Sequence, residues 1–139
     1  MLESFKFHHI GLAVKDIDKT AIVYVQGGYY QSAITFDPVQ NVNICWLTKD
    51  GMPTVELLAP VDDSSPVCKI LEKNGVTPYH MCYIVENIDT AVADLRKMKY
   101  VVVAKPVEAT AITNCRVCFL YNKNVGLIEL VEIPAEITF

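Results

Sequence analysis

The chain repeats itself, and that duplication restricts its fold more than any other property. Phe7-His-His-Ile-Gly-Leu-Ala-Val-Lys-Asp-Ile-Asp18 aligns without a gap on Pro78-Tyr-His-Met-Cys-Tyr-Ile-Val-Glu-Asn-Ile-Asp89. His9 falls on His80, Val14 on Val85, Ile17 on Ile88 and Asp18 on Asp89, all at an offset of 71 residues. A second stretch repeats at an offset of 73: Cys45-Trp-Leu and Val55-Glu-Leu-Leu58 match Cys118-Phe-Leu and Ile128-Glu-Leu-Val131, so that Glu56 falls on Glu129. A loop insertion absorbs the two-residue difference. Residues 5–60 and 77–133 therefore read as two modules joined by a short linker within one domain spanning 1–139.

Both modules show the same order of patterns. Phe7 to Val14 is apolar and β-prone, a strand. Asp18 and Asp89 are expected to cap the helices that follow, the first ending at Gly27-Gly28. Ile17, Ala21 and Tyr24 share one helical face, as do Ile88, Val92 and Leu95. The run Ala21-Ile-Val-Tyr-Val is β-prone, which makes the first helix the weaker of the two. Strands are expected near 29–35, 42–48 and 53–59, then near 99–104, 115–121 and 126–132. In the linker, Ser65-Pro66 and Asn74-Gly75 bracket a short helix with proline at its start and glycine past its end. The result is βαβββ twice over. Three successive strands per module favour a mixed or antiparallel sheet in an α+β fold over a parallel doubly wound one.

With 139 residues, 52% hydrophobic and 20% charged, the chain can build a core without disulfides or a structural metal. Its 12 basic and 16 acidic side chains give a net charge of −4, with no basic cluster to hold nucleic acid. The apolar runs are far shorter than the ~20 residues of a membrane span. Met1-Leu-Glu-Ser-Phe-Lys lacks the layout of a signal peptide. Cys45, Cys68, Cys82, Cys115 and Cys118 then read as reduced thiols of a cytoplasmic protein. Cys115 and Cys118 form a single C-x-x-C with no second pair; in a strand, residues three apart face opposite ways, so both read as small buried apolar groups.

The chemistry lies in what is duplicated. His9 and His80 occupy equivalent first strands, Glu56 and Glu129 equivalent last strands. Taken singly, a strand histidine is an ordinary structural residue and a glutamate among apolar neighbours is the wet face of a strand. As a duplicated set, two imidazoles and two carboxylates suit a divalent cation, and a cation removes the cost of burying the carboxylates. His8 and His9 point to opposite faces, so one of them at most joins such a site. The repeat selects His9, which shares its face with the small residues Gly11 and Ala13, and leaves His8 at a surface or interface. Mixed imidazole and carboxylate donors suit Ni²⁺, Co²⁺, Zn²⁺ or Mn²⁺ in an open site, with room for a small-molecule carbonyl substrate. A ligating carboxylate that takes the proton beside that carbonyl would act as general base.

At these residues the sequence resembles the vicinal oxygen chelate superfamily, which includes glyoxalase I, methylmalonyl-CoA epimerase, extradiol dioxygenases and antibiotic-resistance proteins. The resemblance rests on His9-Ile-Gly-Leu-Ala-Val-Lys-Asp-Ile, Val55-Glu-Leu-Leu-Ala-Pro, Asp63-Ser-Ser-Pro, His80 to Ile88 and Gly126-Leu-Ile-Glu-Leu-Val-Glu132, and in layout it is nearest the methylmalonyl-CoA epimerase and glyoxalase I branches. It implies paired βαβββ modules in a cupped sheet around one metal held by His9, Glu56, His80 and Glu129, with Glu129 also the base. It implies a metal-dependent isomerase or lyase and a homodimer. The alternative is a non-catalytic binder that sequesters a small molecule such as an antibiotic. Glu56 stands where epimerases often carry glutamine, and Asn43 and Ile44 occupy the strand region from which epimerases draw a second acid; neither transfers a proton. Arg96 reads as solvated, whereas Arg116, beside a strand, is a candidate to face a substrate carboxylate.

Overall fold

The computed structural model describes residues 2–139, which form two compact units: residues 9–79 with 138–139, and residues 2–8 with 80–137.

In the first unit, β1 (Lys6–Ala13) pairs in parallel with β5 (Thr54–Pro60) from His9 onward. Between them in sequence come α1 (Ile17–Gln26), the short strands β2 (Tyr30–Gln31) and β3 (Thr35–Asp37), and β4 (Val42–Thr48). β4 pairs antiparallel with β5, β2 and β3, giving a mixed sheet. The single strand expected near 29–35 is thus two pieces. Ser32, buried between them, explains the break: the Trp46 amide donates to its hydroxyl at 2.8 Å, and its own amide donates to the Trp46 carbonyl. One sheet face packs under α1, where Val14, Ile17, Ala21, Cys45, Leu47, Leu57 and Ala59 form a core. Leu47 and Leu57 are fully buried, each contributing about 1.5–3 kcal/mol.

Despite its β-prone sequence, α1 forms, because Ile17 and Ala21 bury on that core and its first turn is capped. The cap is Asp16, whose carboxylate accepts from the Lys19 amide at 2.9 Å, and not Asp18. The outer face leaves Ile22, Val23 and Val25 exposed. α2 (Val67–Asn74) follows β5, with Pro66 entering in helical geometry and Gly75 at φ +70 leaving it, as the linker pattern predicts.

The second unit repeats the plan. β6 (Thr77–Val85) runs parallel to β10 (Gly126–Glu132), β10 pairs antiparallel with β9 (Arg116–Asn122), and β9 with the edge strand β7 (Val101–Glu108). β7 extends past its expected end and is irregular against β9 between Val102 and Val107. β8 (Ile112–Thr113) and β11 (Glu136–Ile137) make a separate small ribbon. Val85, Ile88, Ala91, Leu95, Tyr100, Cys118, Leu120, Ile128 and Leu130 form the core under α3 (Ile88–Lys97). Phe5 and Phe7 tie the N-terminal segment to this unit through Tyr83, at ring centroid distances of 6.5 and 6.3 Å. Asn87, rather than Asp89, caps α3 by accepting from the Thr90 amide.

Asp89 has another task. Arg116 donates to Glu132 at 2.9 and 2.8 Å and to Asp89 at 3.1 Å, while Glu132 also accepts from the Ile88 amide, clamping the start of α3 to the end of β10. The Arg116 guanidinium holds the Glu132 carboxyl below its ordinary value. A carboxyl that titrates lower in the folded than in the unfolded chain stabilises fully above its unfolded pKa, ~4.3, and loses that contribution as pH falls through the folded value. Glu132→Gln is therefore expected to cost about 1 kcal/mol at pH 7, allowing for the partial exposure of Arg116. In urea denaturation the gap to wild type should begin to narrow as pH falls below the unfolded value of ~4.3 and close only beneath the lower, folded value.

Candidate functional site

Strand alternation sorts each sheet into a face under its helix and an opposite face, and the duplicated His and Glu residues lie on the latter. In the first unit His9, Gly11 and Ala13 of β1 share that face with Glu56 and Leu58 of β5 and with Ile44 and Trp46 of β4. Gly11 stands directly beside Glu56. With no side chain at Gly11, the space above it is left to its neighbours, and His9, one step along β1, brings Nε2 to 3.3 Å from Glu56 Oε1. His9 is fully buried and Glu56 nearly so. On the other side of Glu56, Trp46 stands edge-on to the His9 ring, with centroids 4.9 Å apart and planes at 79°.

The second unit repeats the arrangement residue for residue. Cys82 takes the place of Gly11 beside Glu129, and Phe119 takes the place of Trp46 on the other side. His80 Nε2 lies 3.2 Å from Glu129 Oε1, with both side chains buried. The His80 and Phe119 rings meet edge-on at 5.3 Å and 87°. Each unit thus holds one buried imidazole–carboxylate pair bracketed by an aromatic ring.

A carboxylate taken this far from water needs strong compensation, and a neutral imidazole supplies only part of it. Imidazole nitrogen and carboxylate oxygen set side by side are the donors that transition-metal dications take, with each carboxylate offsetting part of the ion's charge. The residues present therefore fit a divalent metal. The aromatic brackets are what residue-by-residue reading overlooks. Their signal was nonetheless present, in the repeated Cys-aromatic-Leu of 45–47 and 118–120.

Other candidates resolve differently. His8 is half-buried, its Nε2 at 2.6 Å from the Ala135 carbonyl oxygen. Arg116 is not open to a substrate carboxylate, because Glu132 and Asp89 occupy its fork; this overturns the role suggested by its place beside a strand. Arg96 is exposed near the end of α3. On β4, Asn43 stands opposite Ala59, on the α1 side, while Ile44 takes the site face with no ionisable group.

All five cysteines are thiols. Burial, followed by the nearby Glu129 charge, pushes the Cys118 thiol up to about 12, and burial raises Cys45 as well. Cys115 is buried and accepts from the Ala135 amide at 3.1 Å. The C-x-x-C is structural.

With this geometry in place, comparison with known proteins decides the family. The model of the Glyoxalase/Bleomycin resistance protein/Dioxygenase superfamily matches residues 8–119. The chain belongs to that superfamily. The human mitochondrial methylmalonyl-CoA epimerase is 32% identical over 130 residues, covering 90% of this chain and 72% of the relative. The crystal structure of methylmalonyl-CoA epimerase from Mycobacterium tuberculosis superposes with a TM-score of 0.81 at 29% identity, covering 91% of this chain and 87% of that one. A methylmalonyl-CoA epimerase in complex with methylmalonyl-CoA and NH4+ gives a TM-score of 0.80 at 28% identity, covering 96% and 99%.

Thiol labelling tests the burial pattern. Native protein treated with a maleimide at pH 7 should label first at Cys68, the one partly exposed cysteine, and at all five sites once unfolded. Peptide mass spectrometry reads the order.

Proposed function

We propose that this chain is a metal-dependent isomerase of the superfamily, moving a proton at the carbon α to a carbonyl, with His9, Glu56, His80 and Glu129 holding one divalent ion and Glu129 serving as base. The observation that carries the reading is the pair of equivalent, buried imidazole–carboxylate couples, one in each unit. Two carboxylates balance a 2+ charge and two imidazoles add nitrogen donors, a set suited to Ni²⁺, Co²⁺, Zn²⁺ or Mn²⁺. When bound, such an ion polarises the carbonyl and acidifies the adjacent C–H. Glu129, buried between Leu127 and Val131 of β10, would accept that proton and return it, a reading its enclosure among apolar neighbours supports. His9 and His80 orient the carboxylates, and the apolar rows of Ile44 and Leu58, and of Ile84 and Val131, keep the faces beside them free of competing acids.

The epimerase relatives favour a small acyl-coenzyme A thioester as substrate, and the complex with methylmalonyl-CoA supports that chemistry for this chain. One observation favours a glyoxalase-like second reading, in which a thiol hemithioacetal is isomerised through a single base. Val42, Ile44 and Trp46, the buried residues of β4 that share the face of Glu56, carry no proton-transferring group. The five thiols suit a reducing compartment, and we place the protein in the cytoplasm; no helix among the described residues is long and apolar enough to cross a membrane. A homodimer completes the reading. The edge strand β7 exposes Val101, Val103 and Val107, an apolar row with unpaired backbone that a second copy would cover.

Protein purified without chelators should carry about one divalent ion per chain by elemental analysis. His80→Ala should lose it while keeping the wild-type circular dichroism, because the two cores fold without the ion. In D2O, wild type should wash deuterium into the α-position of methylmalonyl-CoA, and Glu129→Gln should slow this by about 10²–10⁴-fold. Inertness on methylmalonyl-CoA with turnover of a methylglyoxal hemithioacetal selects the second reading. Inertness of the metal-loaded protein on both overturns the isomerase assignment.

A further inference from the structure

We propose that Trp46 and Phe119 are positioning residues for the metal ligands, each fixing the ring plane of the histidine in its own unit so that its nitrogen points at the neighbouring carboxylate. The inference rests on the metal reading above and adds to it two residues that offer no ligand atom.

The argument starts from the strand register. Trp46 is directly opposite Glu56, and Phe119 directly opposite Glu129. An aromatic ring in that position lies on the same face as the glutamate and within reach of the next strand's histidine. Both rings use that reach in the same way. Trp46 meets His9 at 4.9 Å and 79°, and Phe119 meets His80 at 5.3 Å and 87°. These are edge-to-face contacts, the orientation that the charge distribution of aromatic rings prefers. The terminal torsion of a histidine is broad and roughly two-fold, so alternation fixes where the ring is rooted but not its plane. A neighbouring ring packed at right angles restricts that torsion, and Trp46, 1% exposed, is itself locked by burial.

Duplication makes the case stronger than either contact alone. The two units differ at many positions on this face, including Gly11 against Cys82, yet both keep an aromatic ring at this one place and in this one geometry. The two rings differ in size, so the common element is the flat aromatic face or edge and not the indole nitrogen.

The test uses full-length protein stripped of metal and titrated with Co²⁺, whose visible absorption reports ligand geometry as well as affinity. Trp46→Phe, which installs the ring that the second unit already uses, should keep Kd within about threefold of wild type and leave the band position unchanged. Trp46→Leu and Phe119→Leu should each weaken Co²⁺ binding by about 10-fold and shift the band, with the metal-free variants still folded by circular dichroism. Phe119→Leu removes less volume, and keeps the experiment decisive if Trp46→Leu fails to fold. Leucine variants that fold and bind Co²⁺ with the wild-type Kd and spectrum overturn the positioning role and leave the metal reading intact. Wild-type protein that takes up no Co²⁺ overturns both.

Discussion

A carboxylate enclosed in an apolar strand is the constraint from which the site follows. Glu56 lies between the partly buried Val55 and the buried Leu57, Glu129 between the buried Ile128 and Leu130, and both carboxylates are themselves buried. Most buried strands avoid this, since an ionised carboxylate loses its hydration and must recover that energy from partners. Here the partner on the adjoining strand is a histidine, within 3.3 Å in one unit and 3.2 Å in the other. Everything around the pair accommodates it. A small residue stands beside the glutamate on one side, an aromatic ring on the other, and the helix-side core seals the back of the sheet.

The two copies share a design and differ in detail, and the differences separate what the plan needs from what it tolerates. The helix after the first strand is capped by an aspartate in one unit and an asparagine in the other, because either side chain can accept the first-turn amide. α1 carries a β-prone sequence and α3 an alanine- and leucine-containing one, yet both form, since each buries two or three apolar residues on the same core face. The residue beside the glutamate is glycine in one unit and cysteine in the other, so the requirement there is small volume. Histidine, glutamate and a ring are kept in both.

Much of this was legible in the sequence, because duplication supplies within one chain the comparison that usually needs relatives. The offsets of 71 and 73 residues point to both His–Glu pairs; alternation allows only one of His8 and His9 on the site face, and the repeat selects His9. What escaped did so for local reasons. Asp16 and Asp18 stand two apart before the same helix, as do Asn87 and Asp89, and polarity alone does not say which carries extended backbone and which is already helical. Arg116 looked open because its acceptors are distant in sequence: Glu132 meets it through the pairing of β9 with β10, and Asp89 through the docking of the start of α3 on the end of β10. The break between β2 and β3 depends on the hydroxyl of Ser32 reaching the backbone of Trp46, a tertiary contact with no periodic signature.

The same register limits how proton transfer can be shared among residues. Along the buried stretch of β1, β4 and β5, the ionisable groups on the site face are His9 and Glu56; Ala13, Ile44, Trp46 and Leu58 fill the rest. Along β6, β9 and β10 they are His80, Glu129 and the thiol of Cys82, among Ile84, Val117, Phe119 and Val131. Each face thus offers a single carboxylate, so in the proposed reaction the groups that would hold an ion and the groups that would move a proton largely coincide. A carboxylate can serve both ends only if its second oxygen stays uncommitted, because one bound to a cation is a weaker base than one left to hydrogen bonding. A carboxylate has two oxygens on one pivot with which to divide those tasks, whereas an imidazole that binds through one nitrogen has no second oxygen to offer. In the proposed reaction the imidazoles would therefore supply position and the glutamates chemistry.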